Sequence, residues 1–354
     1  MNRNGAFHFG LEAEFLLVDA RTFEPLWHPQ LRFDTLYKIL ESIPVDDFPC
    51  DGLDAEPLHR AAIPFIVEGY HLPDPDLNPI DMLPKGIEIR TPACASIEDC
   101  LAALRGLHQR LQQALAPRGY RAAALSFHPT QTHFEGPQNK RRHDFWQWAM
   151  EAMTTYGPDV NVSLPSELGQ RLDLKDLDAK VNYYAPALTA LSLASPLYGG
   201  ELWRIRGRVG KSVRTYHRSA IAPAIEIHPD ENLRLEFKTF DMSRSLADYH
   251  NYFLLWLALI LDDGLSGRAT AETRIYDMGR VARDGLDAET IRTRGEEVLS
   301  RAPAVLERWG FDPAPLRRFQ ERLDTGRLPA DGIIALYERE QCVAGVLRHL
   351  CDLE

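Results

Sequence analysis

Apolar and polar residues alternate strictly from the start of the chain. In "FHFGLEAEFLLVD", Phe7 to Asp19, Phe7, Phe9, Leu11, Ala13, Phe15 and Leu17 fall on one face of an extended strand, and His8, Gly10, Glu12 and Glu14 on the other. The same period-2 design recurs in "GIEIRT" (strand Gly86–Thr91), in "VNVSLP" and in "LRLEFKTF" (strand Leu233–Phe240). Ile87 and Ile89 oppose Glu88 and Arg90; Val160, Val162 and Leu164 oppose Asn161 and Ser163; Leu233, Leu235 and Phe237 oppose Arg234, Glu236 and Lys238. "RAAALSFHP" reads as a further strand.

Between these strands the period changes to that of helices. Ser96, with Asp99 three residues on, caps a helix whose buried stripe is Leu101, Leu104, Leu107, Leu111 and Leu115, and which Pro117 and Gly119 stop. Helices are also expected in "HDFWQWAMEAM", in "YYAPALTALSLASPLYGG" up to Pro196, over Tyr252–Leu261 behind a Ser245/Asp248 cap, and throughout from Asp287 onward. Residues 50–85 carry Pro57, Pro64, Pro73, Pro75, Pro79 and Pro84, which break any helix. This stretch reads as a long loop, either a lid or substrate wall or a mobile surface excursion. Half-polar strands separated by helices predict an α+β fold, a mainly antiparallel sheet with helices on one face and a concave polar surface on the other. A single catalytic domain over 1–354 is expected, with 285–354 a helical extension serving as scaffold or as the surface of a homo-oligomer.

The polar face carries Glu12, Glu14, Glu88 and Glu236 beside Arg90, Arg234 and Lys238. Glu12 and Glu14 lie roughly 7 Å apart on one side of a strand, where two partly buried anions repel unless a cation joins them. One Glu-x-Glu alone suits a wet edge strand better than a metal site, and single Glu/Arg or Glu/Lys pairs are better read as exposed ion pairs. Repetition over three strands argues for a site. Carboxylates without thiolates suit Mg²⁺ or Mn²⁺, and the adjacent cations suit phosphate or carboxylate oxygens. No phosphate-binding glycine loop is encoded, so a nucleotide would be held by metals and basic side chains. The run "RIRGRVGKSVRTYHRS" supplies Arg204, Arg206, Arg208, Lys211, Arg214, His217 and Arg218, with Gly207 and Gly210 allowing close approach of a ligand; a solvated loop is the other reading. His8, His128, His133 and His217 could each contact ligand, but a lone histidine is more often structural.

Composition narrows the class. A formal charge of −11 argues against nucleic acid as partner. Five cysteines without a Cys-x-x-Cys pair suit reduced thiols, and hence a cytoplasmic setting, better than a disulfide framework. The apolar run Tyr252–Leu261 is about half the roughly 20 residues that span a bilayer. The N-terminus shows no basic segment followed by an apolar run, which speaks against a signal peptide.

The motifs "FGLEAEFLLVD", "GIEIRTP", "VNVSLP", "PALTALSLASPLYGG" and "LRLEFKTFD", in that order over about residues 7–260, resemble the glutamate–cysteine ligase type of carboxylate–amine ligases, with their glutamine synthetase-like catalytic sheet. The resemblance implies an ATP- and Mg²⁺- or Mn²⁺-dependent enzyme that joins a small carboxylate, glutamate above all, to an amine through an acyl phosphate. It implies metal ligation by Glu12, Glu14, Glu88 and Glu236, with Asp81 a weaker match and Asn161 standing where the family usually has His. Arg90, Lys238 and Arg214 become candidates for catalysis, and Lys211, Arg214, Arg234 and Lys238 for holding the nucleotide. Lys238 stands where the family usually has Arg, and with Asn161 it leaves open a catalytically weakened binding or regulatory homologue. A guanidino-group phosphotransferase on a related sheet is the third reading.

Overall fold

The computed structural model describes residues 7–50, 52–76, 78–133 and 151–354. Its centre is a seven-stranded, wholly antiparallel sheet. The strands are β1 (His8–Asp19), β2 (Phe65–Pro73), β3 (Pro79–Arg90), β4 (Tyr120–Ala123), β5 (Pro158–Ser163), then β10 (Ile225–His228) and β11 (Arg234–Phe237). The two short hairpins between them pair β6 (Leu197–Tyr198) with β7 (Glu201–Leu202) and β8 (Arg204–Ile205) with β9 (Arg208–Val209). The order across the main sheet is β10-β11-β5-β1-β3-β2, with β4 pairing the far end of β1. The α+β expectation holds.

Helices cover the apolar face. The principal helices are α1 (Phe33–Glu41), α2 (Ile97–Leu115), α3 (Leu174–Ala190), α4 (Val213–Arg218), α5 (Leu246–Leu261), α6 (Ala271–Asp284) and α7 (Glu289–Trp309), of which α4 borders the polar face instead through Arg214 and Arg218. Phe9 meets Phe253 of α5 edge-on, with ring centroids 5.7 Å apart, and Phe7 meets Trp309 at 5.8 Å and Phe311 at 5.4 Å. Burying each such ring stabilises the fold by roughly 1.5–3 kcal/mol. One hydrophobic cluster runs from Phe7 to Cys351, so the helices after 285 share the core of the sheet.

Several boundaries differ from the sequence expectation, each for a local reason. The stretch 50–85 is not one loop: its second half belongs to the long β2–β3 hairpin, in which Pro73 and Pro79 pair next to the turn. The strand expected over Leu233–Phe240 is only Arg234–Phe237, because Leu233 turns at φ +46° and Lys238 N–H bonds back to Ala224. Helix α3 ends at Ala190, six residues before Pro196, since the buried Asp241 carboxylate accepts from Ala194 N and Ser195 Oγ. Helix α5 begins earlier than expected, at Leu246, and Ser245 makes no side-chain cap; Asp248 instead binds Arg318 and Arg322 at 2.6 Å each. Ser96 does cap α2, accepting from Asp99 N at 3.0 Å. "RAAALSFHP" contributes strand only to Ala123, where Ala124 N turns to Leu350 O. The helix expected in "HDFWQWAMEAM" falls largely on residues 143–150, outside the described residues.

Candidate active site

The polar face of the sheet floors an open cleft of about 1510 Å³. Antiparallel register sets its carboxylates side by side. On β1, Glu14 lies opposite Glu88 of β3, and Glu12 lies opposite Asp159 of β5; on the far side of β5, Asn161 lies opposite Glu236 of β11. Glu88 in turn faces Ile66, and Glu68 faces Gly86, across the β2–β3 pair.

Two acidic triads result, Glu14/Glu68/Glu88 and Glu12/Asp159/Glu236, each with ligand oxygens within 4.8 Å of one another. Glu226, His228 and Glu236 form a third such group towards the β10 edge. The donors of both triads are carboxylate oxygens alone, which fits a hard divalent cation. Each triad also contains a lysine. Lys85 Nζ lies 2.7 Å from Glu14 Oε1 and 3.6 Å from Glu68 Oε2, and donates to Thr155 O at 2.7 Å. Lys238 Nζ contacts Glu236 and lies 2.8 Å from Asp159 and 3.7 Å from Glu226. Arg234 adds a bond to Glu236 at 2.9 Å and one to Asn161 Oδ1 at 2.5 Å.

Crowding of anions in a poorly hydrated floor shifts their protonation. Burial, then the neighbouring Glu236 and Asp159 charges, push Glu12 up to about 8. Burial likewise pushes Glu68 up to about 7, and burial with Glu68 and Glu12 holds Glu88 well above the ordinary carboxylate range. Asp159 goes the other way: burial raises it, but Lys238 and Arg218 outweigh burial. Lys85 and Lys238 are both disfavoured as cations by burial, and in both the adjacent carboxylates win and hold the proton more tightly than in free lysine.

These shifts give a signed expectation. The folded values of Glu12, Glu68 and Glu88 lie above the unfolded value near 4.5. Their contribution to stability is therefore complete below that pH and is lost as pH rises through the folded values. In a chelator, the melting temperature should fall by several degrees between about pH 5.5 and about pH 8.5, and Mg²⁺ should suppress the fall by replacing the protons. A melting temperature that stays flat or climbs over that range in chelator would contradict the buried acid floor.

The remaining sequence candidates separate. Arg214 lines the cleft but is 2% exposed: it donates to Thr239 O at 3.3 Å and Lys238 O at 3.0 Å, and lies 3.9 Å from Asp241. Burial and then Arg218 lower it to about 10. It rests on Gly157, where any Cβ would sit 2.0 Å from its guanidinium, and Gly157 N–H donates to Glu14 Oε2 at 2.7 Å. Arg90 reaches the cleft, yet its guanidinium clamps the 53–63 segment through Asp54 O at 3.0 Å and Ile63 O at 3.1 Å. It positions a wall. Lys211 lies outside the cleft and pairs with Asp331 at 2.5 Å. Arg204, Arg206 and Arg208 belong to the β8–β9 hairpin; Gly207 makes its turn at φ +78°, and Gly210 accommodates the Trp203 ring. The glycines are thus explained without a ligand. Asp81 is exposed along β3, away from the cleft. His8 lines the cleft, whereas His128 is buried against Leu26 O with its pKa lowered by burial to about 4, His217 stacks on Phe127, and His133 pairs with Glu151.

Residues the sequence reading passed over include Glu68, Asp159 and Lys85. Asp159 was within reach by extending the "VNVSL" alternation back two positions. Glu68 shares a face with Ile66 in "FIVEGY", obscured by the surrounding prolines.

The profile of glutamate–cysteine ligase family 2 matches residues 8–220, more than half of the chain. The chain belongs to this family. It thereby joins a family of carboxylate–amine ligases, and the five-motif resemblance is the correct one. A relative from Jannaschia sp. (strain CCS1), carrying the provisional name glutamate–cysteine ligase 2, is 28% identical over 316 residues, covering 86% of this chain and 69% of its own. Among solved structures, a bifunctional glutathione synthetase from Pasteurella multocida superposes with TM-score 0.66 at 16% identity over 99% of this chain. This chain spans about half, 52%, of that protein. The glutamate–cysteine ligase of Francisella tularensis in complex with AMP superposes with TM-score 0.63 at 11% identity, over 98% of this chain and 88% of that one. At such identities the likeness is one of fold. No helix among the described residues is long and apolar enough to cross a membrane.

Proposed function

We propose that this protein is an ATP-dependent ligase that joins the γ-carboxylate of glutamate to an amine. The observation that carries the reading is the pair of adjacent all-carboxylate triads flanked by Arg234, Lys238, Arg214 and Arg218 in one cleft. Glutamate as substrate and ATP as energy source are supported by family membership and by the nucleotide named in the Francisella complex.

The chemistry balances in two displacements. A carboxylate oxygen of the first substrate attacks the γ-phosphorus of ATP, ADP leaves, and an acyl phosphate forms. The amine nitrogen then attacks the acyl carbon, phosphate departs, and the nitrogen loses a proton. Glu12, Asp159 and Glu236 in one triad, and Glu68 and Glu88 with Glu14 beside them in the other, would hold Mg²⁺ or Mn²⁺, which offsets charge on the phosphate oxygens when bound. Lys238 and Arg234 sit beside one triad and supply cations to the same oxygens. Asn161 serves less as ligand than as bridge, because its oxygen accepts from Arg234 and its amide lies 3.4 Å from Glu12. Among the described residues no cysteine lines the cleft, which disfavours a thiol-assisted guanidino phosphotransfer.

The deciding assay is ADP release with ATP and Mg²⁺ across a panel of amines, glutamate always present. Release that requires both glutamate and one particular amine is the expected result. A folded, Mn²⁺-binding protein that stays silent over the panel would point to a binding or regulatory homologue.

A further inference from the structure

Lys85 has no partner in the alternation of β3. Counting by twos, it shares a face with Ile87 and Ile89 and should enter the core. The ladder breaks there: Glu68 pairs with Gly86, the next residue Gly69 pairs with Pro84, and Lys85 is the extra residue of a β-bulge. Bulges re-aim side chains beside functional sites. This one is built in, since a Cβ at Gly69 would lie 2.2 Å from Leu83 O and one at Gly86 would lie 2.3 Å from Phe15 O. Tyr156 Oη donates to Lys85 O at 2.8 Å, and the ammonium lies 5.5 Å from the centre of the same ring. The side chain is 6% exposed and ends beside Glu14 and Glu68 of the Glu14/Glu68/Glu88 triad.

Its position changes what the triad offers. Glu14 has both oxygens engaged, one by Lys85 and one by Gly157 N–H, each at 2.7 Å. Glu68 lies farther from the ammonium than Glu14 does, at 3.6 Å against 2.7 Å, and Glu88 makes no hydrogen bond to Lys85. We propose that Lys85 is a resident counter-ion of this triad, which withdraws Glu14 from the ligand set, leaves Glu68 and Glu88 to a divalent cation, and holds that cation's affinity down. The inference rests on the reading of the cleft as a metal-dependent site. Three carboxylates without an internal cation carry one more negative charge at a distance of a few ångströms, and Coulomb attraction for a divalent ion rises accordingly. A weaker ion exchanges faster, which suits an ion that must arrive and leave with a nucleotide.

Titration calorimetry of the nucleotide-free full chain with Mn²⁺ alone tests it. Lys85→Met should bind Mn²⁺ at least ~10-fold more tightly than wild type, because removing the ammonium frees Glu14 and its charge. Lys85→Gln, which keeps hydrogen bonding without the charge, should show the same rise, and Lys85→Arg should remain within about threefold of wild type. Unchanged or weaker binding in the folded Met and Gln variants overturns the inference. Failure of both to fold while Lys85→Arg folds also overturns it, by reducing Lys85 to a structural role. Absence of any Mn²⁺ binding by wild type would instead sink the metal-site reading itself.

Discussion

Glu12→Gln should abolish ligation while leaving the fold intact or slightly firmer. The expected loss of turnover is about 10³-fold, the scale seen when a preorganised charge contact to a transferring group is removed. The structural half of the prediction follows from the site. Glu12 is held up to about 8 by burial and by Glu236 and Asp159, so at neutral pH without metal it already carries a proton. Glutamine is a close mimic of that form. ADP release, measured alongside thermal melting in chelator, separates the two effects. Full activity in the variant would remove Glu12 from the site, and a collapsed melting temperature would show that its role is packing.

Arg214→Met carries the largest expected cost in stability. The guanidinium is almost completely buried, bonds two backbone carbonyls and faces Asp241, whose carboxyl is itself buried and accepts from Ala194, Ser195 and Ser212. Removing one partner of a buried pair strands the other, typically at about 3–5 kcal/mol. Denaturant unfolding should report a loss in that range, and Asp241→Asn in the same background should recover part of it. Recovery is the discriminating result: if the second substitution makes matters worse, the pair is not what Arg214 stabilises. Activity should fall as well, because Gly157 touches both Arg214 and Glu14.

Much of the site was legible in the sequence because antiparallel strands translate parity into geometry. Glu12, Glu14, Glu88 and Glu236 are the polar positions of alternating strands, and the sheet brings all four to one cleft. Roles were harder to read than positions. Arg90 has the right parity and reaches the cleft, but nothing in "GIEIRT" announces that its guanidinium is taken up by backbone carbonyls of the 53–63 wall. Lys211 sits in a basic run, and its partner Asp331 is 120 residues away. Lys85 was hidden because a bulge shifts parity by one, and a bulge is a property of two strands together. The β2–β3 hairpin was hidden by its prolines, which forbid a helix without forbidding a strand end.

The shared ladder under the two triads also acts as an inspector of the chain's own assembly. A slip of β1 by one residue against its neighbours would turn Glu12 and Glu14 into the helix-covered layer and expel Phe9, Leu11 and Ala13 from it. That exchange would bury two carboxylates without partners and expose apolar side chains, so the register is strongly specified. The same pairing that packs Phe9, Leu11 and Ala13 under the helices therefore assembles the acidic floor on the other face.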